Sequence, residues 1–541
     1  MKLLILKFAI IVMLMPQNAL AKDASKDAPK AAESQKKEKK ELTPEQIAKQ
    51  EELKKIRTIR TVESLKQHIN LLSVGAQNMA SGIDINRDFK EISTIFLDYM
   101  STQKQVELPR GYRFLNGQIN SIKTKEDLAR VMGVFTRYSL KTPLKAYPMP
   151  IKDTIGFQNT YRSFFSSEKS PERDETVKKY KTFMTDLFKE LYPSVTPKQI
   201  DDALAIMEKI SITPTGKKPV ITKPLDRKTL TKLKFPWKPY FEGYPKFSQN
   251  KFRIVNPKEV GAFAQVFATA PIEAWKTVLR LDLASAFVRF LPKKYEDIYL
   301  KHLTENKGKK VPKTVLGVDM LQRLLPAQMS NAYAQAFMTP ELRKNLTELA
   351  GKVKAKVETE IKGSDLTPKV KKAILNKLTK MNIEIGYTKP IKVKKHNLKP
   401  GNLVENVLKL RLDSLNQALV APPKKQPMAN KAPLSFNKKT KKLFIPAARL
   451  QPYFYSAGKE PKETYYHATA KGLANDILGY IFINTGDFTK QDKEAIKAEF
   501  PTLKKVINPE KIVTADLYKG YPNPSIPATR ISDCVTKGCK L

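Results

Sequence analysis

Four histidines and two cysteines are all that 541 residues offer to a soft metal or an activated thiol. His467 precedes Asn475 by eight residues, so on a helix the two project from a similar face. A zinc pair on a helix needs two histidines one turn apart, and His467 has no such partner. His68, His302 and His396 likewise have no ligand-type neighbour at metal spacing. Cys534 and Cys539 close the chain as a C-x4-C pair with no histidine or carboxylate beside it. In an oxidising compartment such a pair is expected to join as a short-loop disulfide rather than to hold a metal. Ser166-Ser-Glu-Lys169 satisfies S-x-x-K, but 98 Lys+Arg make that match a chance one. There is no G-x-S-x-G elbow, no G-x-x-x-x-G-K-[ST] phosphate loop and no Cys–His pair. With 21 glycines there is also no G-x-G-x-x-G cradle.

The elements that would position any site are mostly helices. Apolar residues make up 41 % of the chain and mean hydropathy is −0.42, enough for a large core. At about 100–200 residues per domain, two to four domains are expected. From Ile59 to about Leu419 apolar residues recur at helical spacing. The segments are Lys125–Ser139, Glu172–Leu191, Pro197–Ile210, Pro271–Leu291, Val315–Phe337, Pro340–Ile361 and Pro368–Met381. Ser170-Pro171, Thr196-Pro197, Thr339-Pro340 and Thr367-Pro368 are helix-start signals: a capping hydroxyl, then Pro in the first turn. No fixed-period repeat is present, which argues against a solenoid. The Pro-rich stretch 421–427 reads as a linker, followed by a hairpin from Leu434–Phe436 and Leu443–Ile445, the clearest strand signal in the chain. Tyr465–Phe482 is an amphipathic helix with Ala470, Leu473, Ala474, Ile477 and Ile481 on one face, and 489–500 is another.

Residues 1–21 read as a secretory signal: Lys2, the apolar run Phe8–Met15, Pro16, then Ala19-Leu20-Ala21 before the cleavage point. That run is short of the ~18 apolar residues of a membrane span, and no other stretch reaches that length. Residues 22–58 form a charged tether, disordered at first and grading into a solvated helix. The product is expected to be exported, periplasmic or extracellular, with no transmembrane segment. The formal charge of +45 comes mostly from Lys, with runs at 36–40, 392–399 and 438–442. Nucleic-acid readers pair basic stripes with Arg forks and stacking aromatics, so no specific nucleic acid is expected. Non-specific attraction to anionic polymers is.

Two stretches carry a family resemblance. Phe444-Ile-Pro-Ala-Ala-Arg-Leu-Gln-Pro452 is similar to a segment ending in P-A-x-x-L-Q-P, and Ala270-Pro-Ile-Glu-Ala-Trp275, with Leu279, Leu281 and Phe290-Leu-Pro292, to a T-P-x-x-x-W helix closing on L-P. Weaker echoes are Phe235–Tyr240, Ile385-Gly-Tyr387, Asn402–Val407 and Gly117–Ile122, all in the same order. In these the chain resembles the neprilysin family of exported zinc metallopeptidases, of the gluzincin type. The resemblance implies a mainly α, two-lobed architecture. Residues 59–420 would supply the large helical lobe and 430–541 a truncated remnant of the catalytic lobe with its small hairpin.

The resemblance also shows what is missing. The family's H-E-x-x-H falls on Asn475, Asp476 and Gly479, so both histidine ligands are gone. Asp476 keeps a carboxylate at the general-base position, one methylene shorter, and on its own reads as a solvated helix residue. The third ligand, a Glu, would fall in Asp533–Cys539, and no Glu follows Glu510. Pro433-Leu434-Ser435 replaces the N-A-Y/F element that clamps substrate backbone. Pro433 has no N–H to give, while Ser435 and the opposite strand are expected to keep theirs. No metal or cofactor is expected. The reading that follows is a family homologue without zinc or hydrolysis, binding a peptide or protein partner along Leu434, Ser435, Phe436 and Phe444. The alternatives are a divergent active peptidase with an unrecognised site, and a cationic envelope protein binding anionic glycans or lipids.

Overall fold

The structure is a computed structural model. It describes residues 44–521 except 150, 152–153, 160, 162–164, 166–169, 212–218, 231–233, 246–250, 309, 388, 421–426, 438–439, 452–464, 484–487 and 520. The leader, the tether before Pro44, most of the Pro-rich linker, and Cys534 and Cys539 lie outside the described residues.

Helices dominate, as the 3.6-residue periodicity requires. In chain order they are α1 Pro44–Ala80, α2 Arg87–Ser101, α3 Arg110–Asn120, α4 Lys125–Arg137, α5 Pro171–Leu191, α6 Pro197–Ile210 and α7 Trp237–Gly243. Then come α8 Pro257–Thr269, α9 Ile272–Phe287, α10 Lys293–Lys307, α11 Lys313–Leu324, α12 Pro326–Phe337, α13 Pro340–Lys362 and α14 Pro368–Thr379. The last are α15 Leu403–Val420, α16 Tyr465–Ile483, α17 Lys490–Ala498 and α18 Phe500–Val506; the one-turn helices Arg227–Leu230 and Pro509–Ile512 are left outside this numbering. Helix α1 begins inside the expected tether. Its residues 51–55 are exposed, and its inward face starts near Leu65 and is buried by His68, Leu71 and Leu72.

Three of the four hydroxyl-Pro starts cap as expected: Ser170, Thr196 and Thr339 each accept the N–H of the third helical residue, from Arg173, Gln199 and Leu342. Thr367 does not. Its hydroxyl and its N–H both donate to the Glu499 carboxylate, at 2.6 and 2.9 Å, tying the start of α14 to the end of α17. The expected single helix 315–337 is two. Pro326 supplies no N–H and forces Leu325 out of the helical region, to φ −130° and ψ 52°, so α11 and α12 meet at a corner.

Among the described residues two three-stranded sheets interrupt the helices, and of these the sequence analysis expects only the hairpin. Strands β1 Leu144–Pro148, β2 Thr154–Asn159 and β3 Lys251–Val255 form one sheet in that order, antiparallel then parallel. Five of the six β2 residues are buried, so the strand shows no apolar–polar alternation. The second sheet has the order β4-β6-β5, from β4 Asn382–Gly386, β5 Ser435–Asn437 and β6 Lys442–Pro446. The expected hairpin is β5–β6, and β4 joins it in parallel on the far side of β6.

Helices α4 and α7 meet backbone to backbone. A Cβ on Gly133 would stand 2.1 Å from the Tyr240 carbonyl oxygen, and one on Gly243 would stand 2.0 Å from that of Arg130. The close approach seats Trp237 and Tyr240 against Phe157 of β2, with ring centroids 4.8 and 6.4 Å away. Gly133→Ala must push the two helices apart and should cost about 1–3 kcal/mol. Gly117, within α3, has open space around it, so Gly117→Ala should be neutral or stabilising by up to ~1 kcal/mol. Thermal melts of the two variants should therefore move apart; equal melting points would refute the crossing.

Candidate functional site

The site lies where α16 packs on the turn that leaves the second sheet. Strand β6 runs straight into the 3-10 turn Ala447–Leu450. The apolar face of α16, Ala470, Leu473, Ala474, Ile477 and Ile481, is fully buried. That burial fixes the helix's rotation and with it the three positions of interest. Asn475 is exposed, Gly479 is half-buried, and Asp476 lies on the buried side.

Asp476 is not a solvated helix residue; it is only 5 % exposed. Its carboxylate receives both donors of the Arg449 fork, Nε at 2.7 Å and Nη2 on the other oxygen. Position 476 follows the apolar face at 473 and 477, so helix geometry carries the carboxylate inward. The guanidinium then supplies the cation that a buried carboxylate requires. Arg449 stands within the Phe444–Pro452 segment, so the ion pair joins that stretch to α16. Gln451, from the same segment, is buried as well. It donates to the Ala447 carbonyl at 3.0 Å and accepts from Gln67 of α1 at 3.1 Å, while Gln67 accepts from the Tyr333 hydroxyl at 2.6 Å.

Each histidine has its own structural partner. His467 and the Tyr518 hydroxyl are hydrogen-bonded through Nδ1 at 2.9 Å. His302 stacks on Phe183 with centroids 4.3 Å apart. His396 pairs through Nδ1 with Asp413 at 2.9 Å, and its backbone N–H donates to Glu91 at 2.6 Å. Those bonds pin the Lys-rich run 392–399 to α2 and α15, a role for His396 that sequence spacing does not show. His68 stacks on Tyr333 at 4.9 Å, and its Nδ1 donates to the Ser64 carbonyl at 2.7 Å. Among the described residues no three His, Cys, Asp or Glu side chains converge as a metal site. The residues that the resemblance sets at the zinc positions do not fit that ion: Asn475 is an exposed amide, Gly479 has no donor, and Asp476 is held by Arg449.

The peptide-groove residues divide between faces. Strand β5 is the edge of its sheet, and Ser435 pairs with Phe444 in register. Leu434 and Phe436 are half-buried against the core, with Phe436 edge-on to Tyr480 of α16 at 4.8 Å. Phe444 is 3 % exposed. The expectation that the strand opposite β5 also keeps free donors is corrected, because β6 is paired on both edges.

Two outcomes follow. Asp476→Ala leaves the Arg449 cation without its partner and should destabilise by on the order of 3 kcal/mol. The double variant Arg449→Leu/Asp476→Leu should recover much of that loss; additive losses in a double-mutant cycle would contradict a coupled pair. Burial pulls the His68 pKa from 6.5 to about 4. Between those values the unfolded chain takes up a proton that the native chain refuses, so this group's contribution to stability falls as pH drops from 6.5. Asp282, which burial raises to about 6, acts in the opposite sense. Urea titrations of parent and His68→Gln isolate the histidine: the parent should lose about 3 kcal/mol more than the variant on acidification through the window.

The model of peptidase family M13 matches residues 48–388. No curated protein matches the chain. Among solved structures, the Mycobacterium tuberculosis zinc metalloprotease Zmp1 in its open state is similar, at 16 % identity and a TM-score of 0.66, covering 88 % of this chain and 80 % of that one. The same metalloprotease in complex with inhibitor aligns at 16 % identity and a TM-score of 0.60, covering 83 % and 73 %. PepO from Lactobacillus rhamnosis aligns at 12 % identity and a TM-score of 0.57, covering 88 % and 85 %. At such identities the structures speak for the fold, and the matched stretch, more than half of the sequence, places the chain in peptidase family M13, the neprilysin family.

Proposed function

We propose that this chain is an exported M13 homologue that has lost zinc and peptide hydrolysis and works by binding a peptide or protein. The observation that carries the reading is the Arg449–Asp476 pair. The one carboxylate left at the family's base position is committed to a guanidinium. A general base must be within reach of the proton it takes and free to accept it. Asn475 and Gly479 supply no imidazole to either side of it.

Under this reading residues 59–420 form the helical lobe and 430–541 a shortened catalytic remnant, with the leader at 1–21 directing export. No described helix is long and apolar enough to cross a membrane. The edge strand β5 is where an extended peptide would add, with backbone bonds giving affinity and neighbouring side chains selectivity.

The protein should purify without stoichiometric zinc, and a chelator should leave its melting point unchanged, since no metal binding is linked to folding. One zinc per chain, with a lower melt in chelator, would overturn the reading. The triple change Asn475→His, Asp476→Glu, Gly479→His restores the motif but should not restore hydrolysis. Arg449 still faces the carboxylate, and each absent oxyanion donor is worth ~2.7–4 kcal/mol of barrier. Peptidase activity in that variant would show that the remaining machinery is present elsewhere. For the groove, Ser435→Pro removes the N–H by which β5 pairs with Phe444 of β6 and so loosens the edge strand. It should lower the melt and weaken binding of extended apolar or acidic peptides. Binding indifferent to Ser435→Pro yet abolished by moderate salt would favour the cationic surface instead.

A further inference from the structure

Between β4 and α15 the chain crosses the surface as a strap, residues 391–399, with no turn or bend along it. Two buried asparagines clamp its ends. Asn331 of α12 donates to the Ile391 carbonyl and accepts the Ile391 N–H, both at 2.9 Å. Asn406 of α15 treats Lys399 in the same way, donating to its carbonyl at 2.7 Å and accepting its N–H at 3.0 Å. Between the clamps, Arg87 of α2 donates to the Val393 carbonyl at 3.2 Å, and His396 is held by Glu91 and Asp413. His396 is buried, and Val393 and Leu398 are half-buried. Lys392, Lys394, Lys395 and Lys399 are exposed. Four lysine stems therefore leave a backbone that is already ordered, which lowers the entropy lost when a partner is bound.

Surface lysines on helices meet acids one turn away, as Lys179 meets Glu175 at 3.3 Å and Lys293 meets Asp297. On the strap Lys394 alone has an acid, Asp413 at 3.7 Å, and it shares that carboxylate with His396. Among the described residues Lys392, Lys395 and Lys399 have no acid within ion-pair distance. The strap also narrows the choice of partner. It carries no aromatic ring and no Arg, so it offers nothing for nucleic-acid bases to stack on. It exposes no large apolar side chain that could enter a lipid surface. Its backbone groups at Ile391, Val393, His396 and Lys399 are spent on the protein's own side chains, which leaves little for an added peptide strand.

We propose that the 391–399 strap is a docking surface for an acidic polysaccharide, a stiff chain whose carboxylate or sulfate groups recur along its length. The lysine ammonium is a compact point charge that meets either group without the fixed geometry of an Arg fork. The docking surface stands whether or not β5 takes a peptide.

The test is isothermal titration of the full mature chain with polygalacturonate and, separately, with dextran sulfate, at an ionic strength of about 0.15 M. The parent should bind at least one of them saturably. Binding of the first alone assigns a carboxylated polymer, and of the second alone a sulfated one; either, or both, supports the surface. Replacing Lys392, Lys394, Lys395 and Lys399 together by Gln should weaken that binding at least about tenfold, and the melt should hold because all four are exposed. A scattered control of equal charge, Lys178→Gln, Lys209→Gln, Lys301→Gln and Lys380→Gln, should bind within about twofold of the parent, since distant charges are screened. Asn331→Ala keeps every charge and removes the clamp on Ile391, so it should weaken binding several-fold. Arg87→Lys, on the surface, is the second charge-preserving variant and serves if Asn331→Ala does not fold. Equal losses in the two lysine quartets, unchanged binding in the folded clamp variant, an equal affinity for flexible poly-L-glutamate, or no saturable binding by the parent overturns the proposal.

Discussion

A carboxylate held out of water has to find a cation, and for Asp476 that cation is Arg449, 27 residues back along the chain. Its geometry is two donors on two oxygens, the arrangement in which desolvation is best offset by attraction. The pair has mechanical consequences. Arg449 stands on the turn that continues β6, and β6 is the central strand of its sheet. Locking α16 to that turn therefore locks it to β4 and β5 as well. The apolar side of α16 sets the rotation, and the ion pair sets the position along the axis. Gln451, bonded into α1 through Gln67, carries the same constraint to the long first helix.

The same interaction bears on the proposed loss of hydrolysis. In an H-E-x-x-H helix the carboxylate sits beside a metal-bound water and is kept available to it. Here a guanidinium occupies it, and the flanking positions carry an exposed amide and no side chain at all. Structural and catalytic use of one carboxylate compete, because each needs the same lone pairs. A bidentate partner in a buried setting resolves that competition towards structure.

How far the sequence could be read follows from the range of the forces involved. Helix α6 runs from Pro197 to Ile210 as its capping box and periodicity require, since both signals act within one or two turns. The break at Pro326 is equally local, yet the apolar pattern runs through it and disguises the corner. Thr367 looks like Thr196 in its immediate sequence but bonds to Glu499, and no local rule anticipates a partner from another helix. Strands β1 to β4 were missed because they are short, and β2 is buried on both faces and so lacks alternation. At the site, the family spacing directs attention to positions 475, 476 and 479. The partner of Asp476 was not legible: Arg449 lay inside the quoted segment, but its pairing depends on how β6 and α16 pack. Phe436 looked like a groove wall from the hairpin pattern, whereas contact with Tyr480 makes it part of the support beneath the strand.

Charge separates surface from interior in this molecule. With 98 Lys+Arg against 53 Asp+Glu, a large excess of cations can have no acidic partner. On the surface that costs little, because water and salt screen them, and exposed pairs such as Lys293–Asp297 contribute little in return. Inside, screening fails and each charge must be answered locally. Asp476, Glu296 and Asp282 obey that rule.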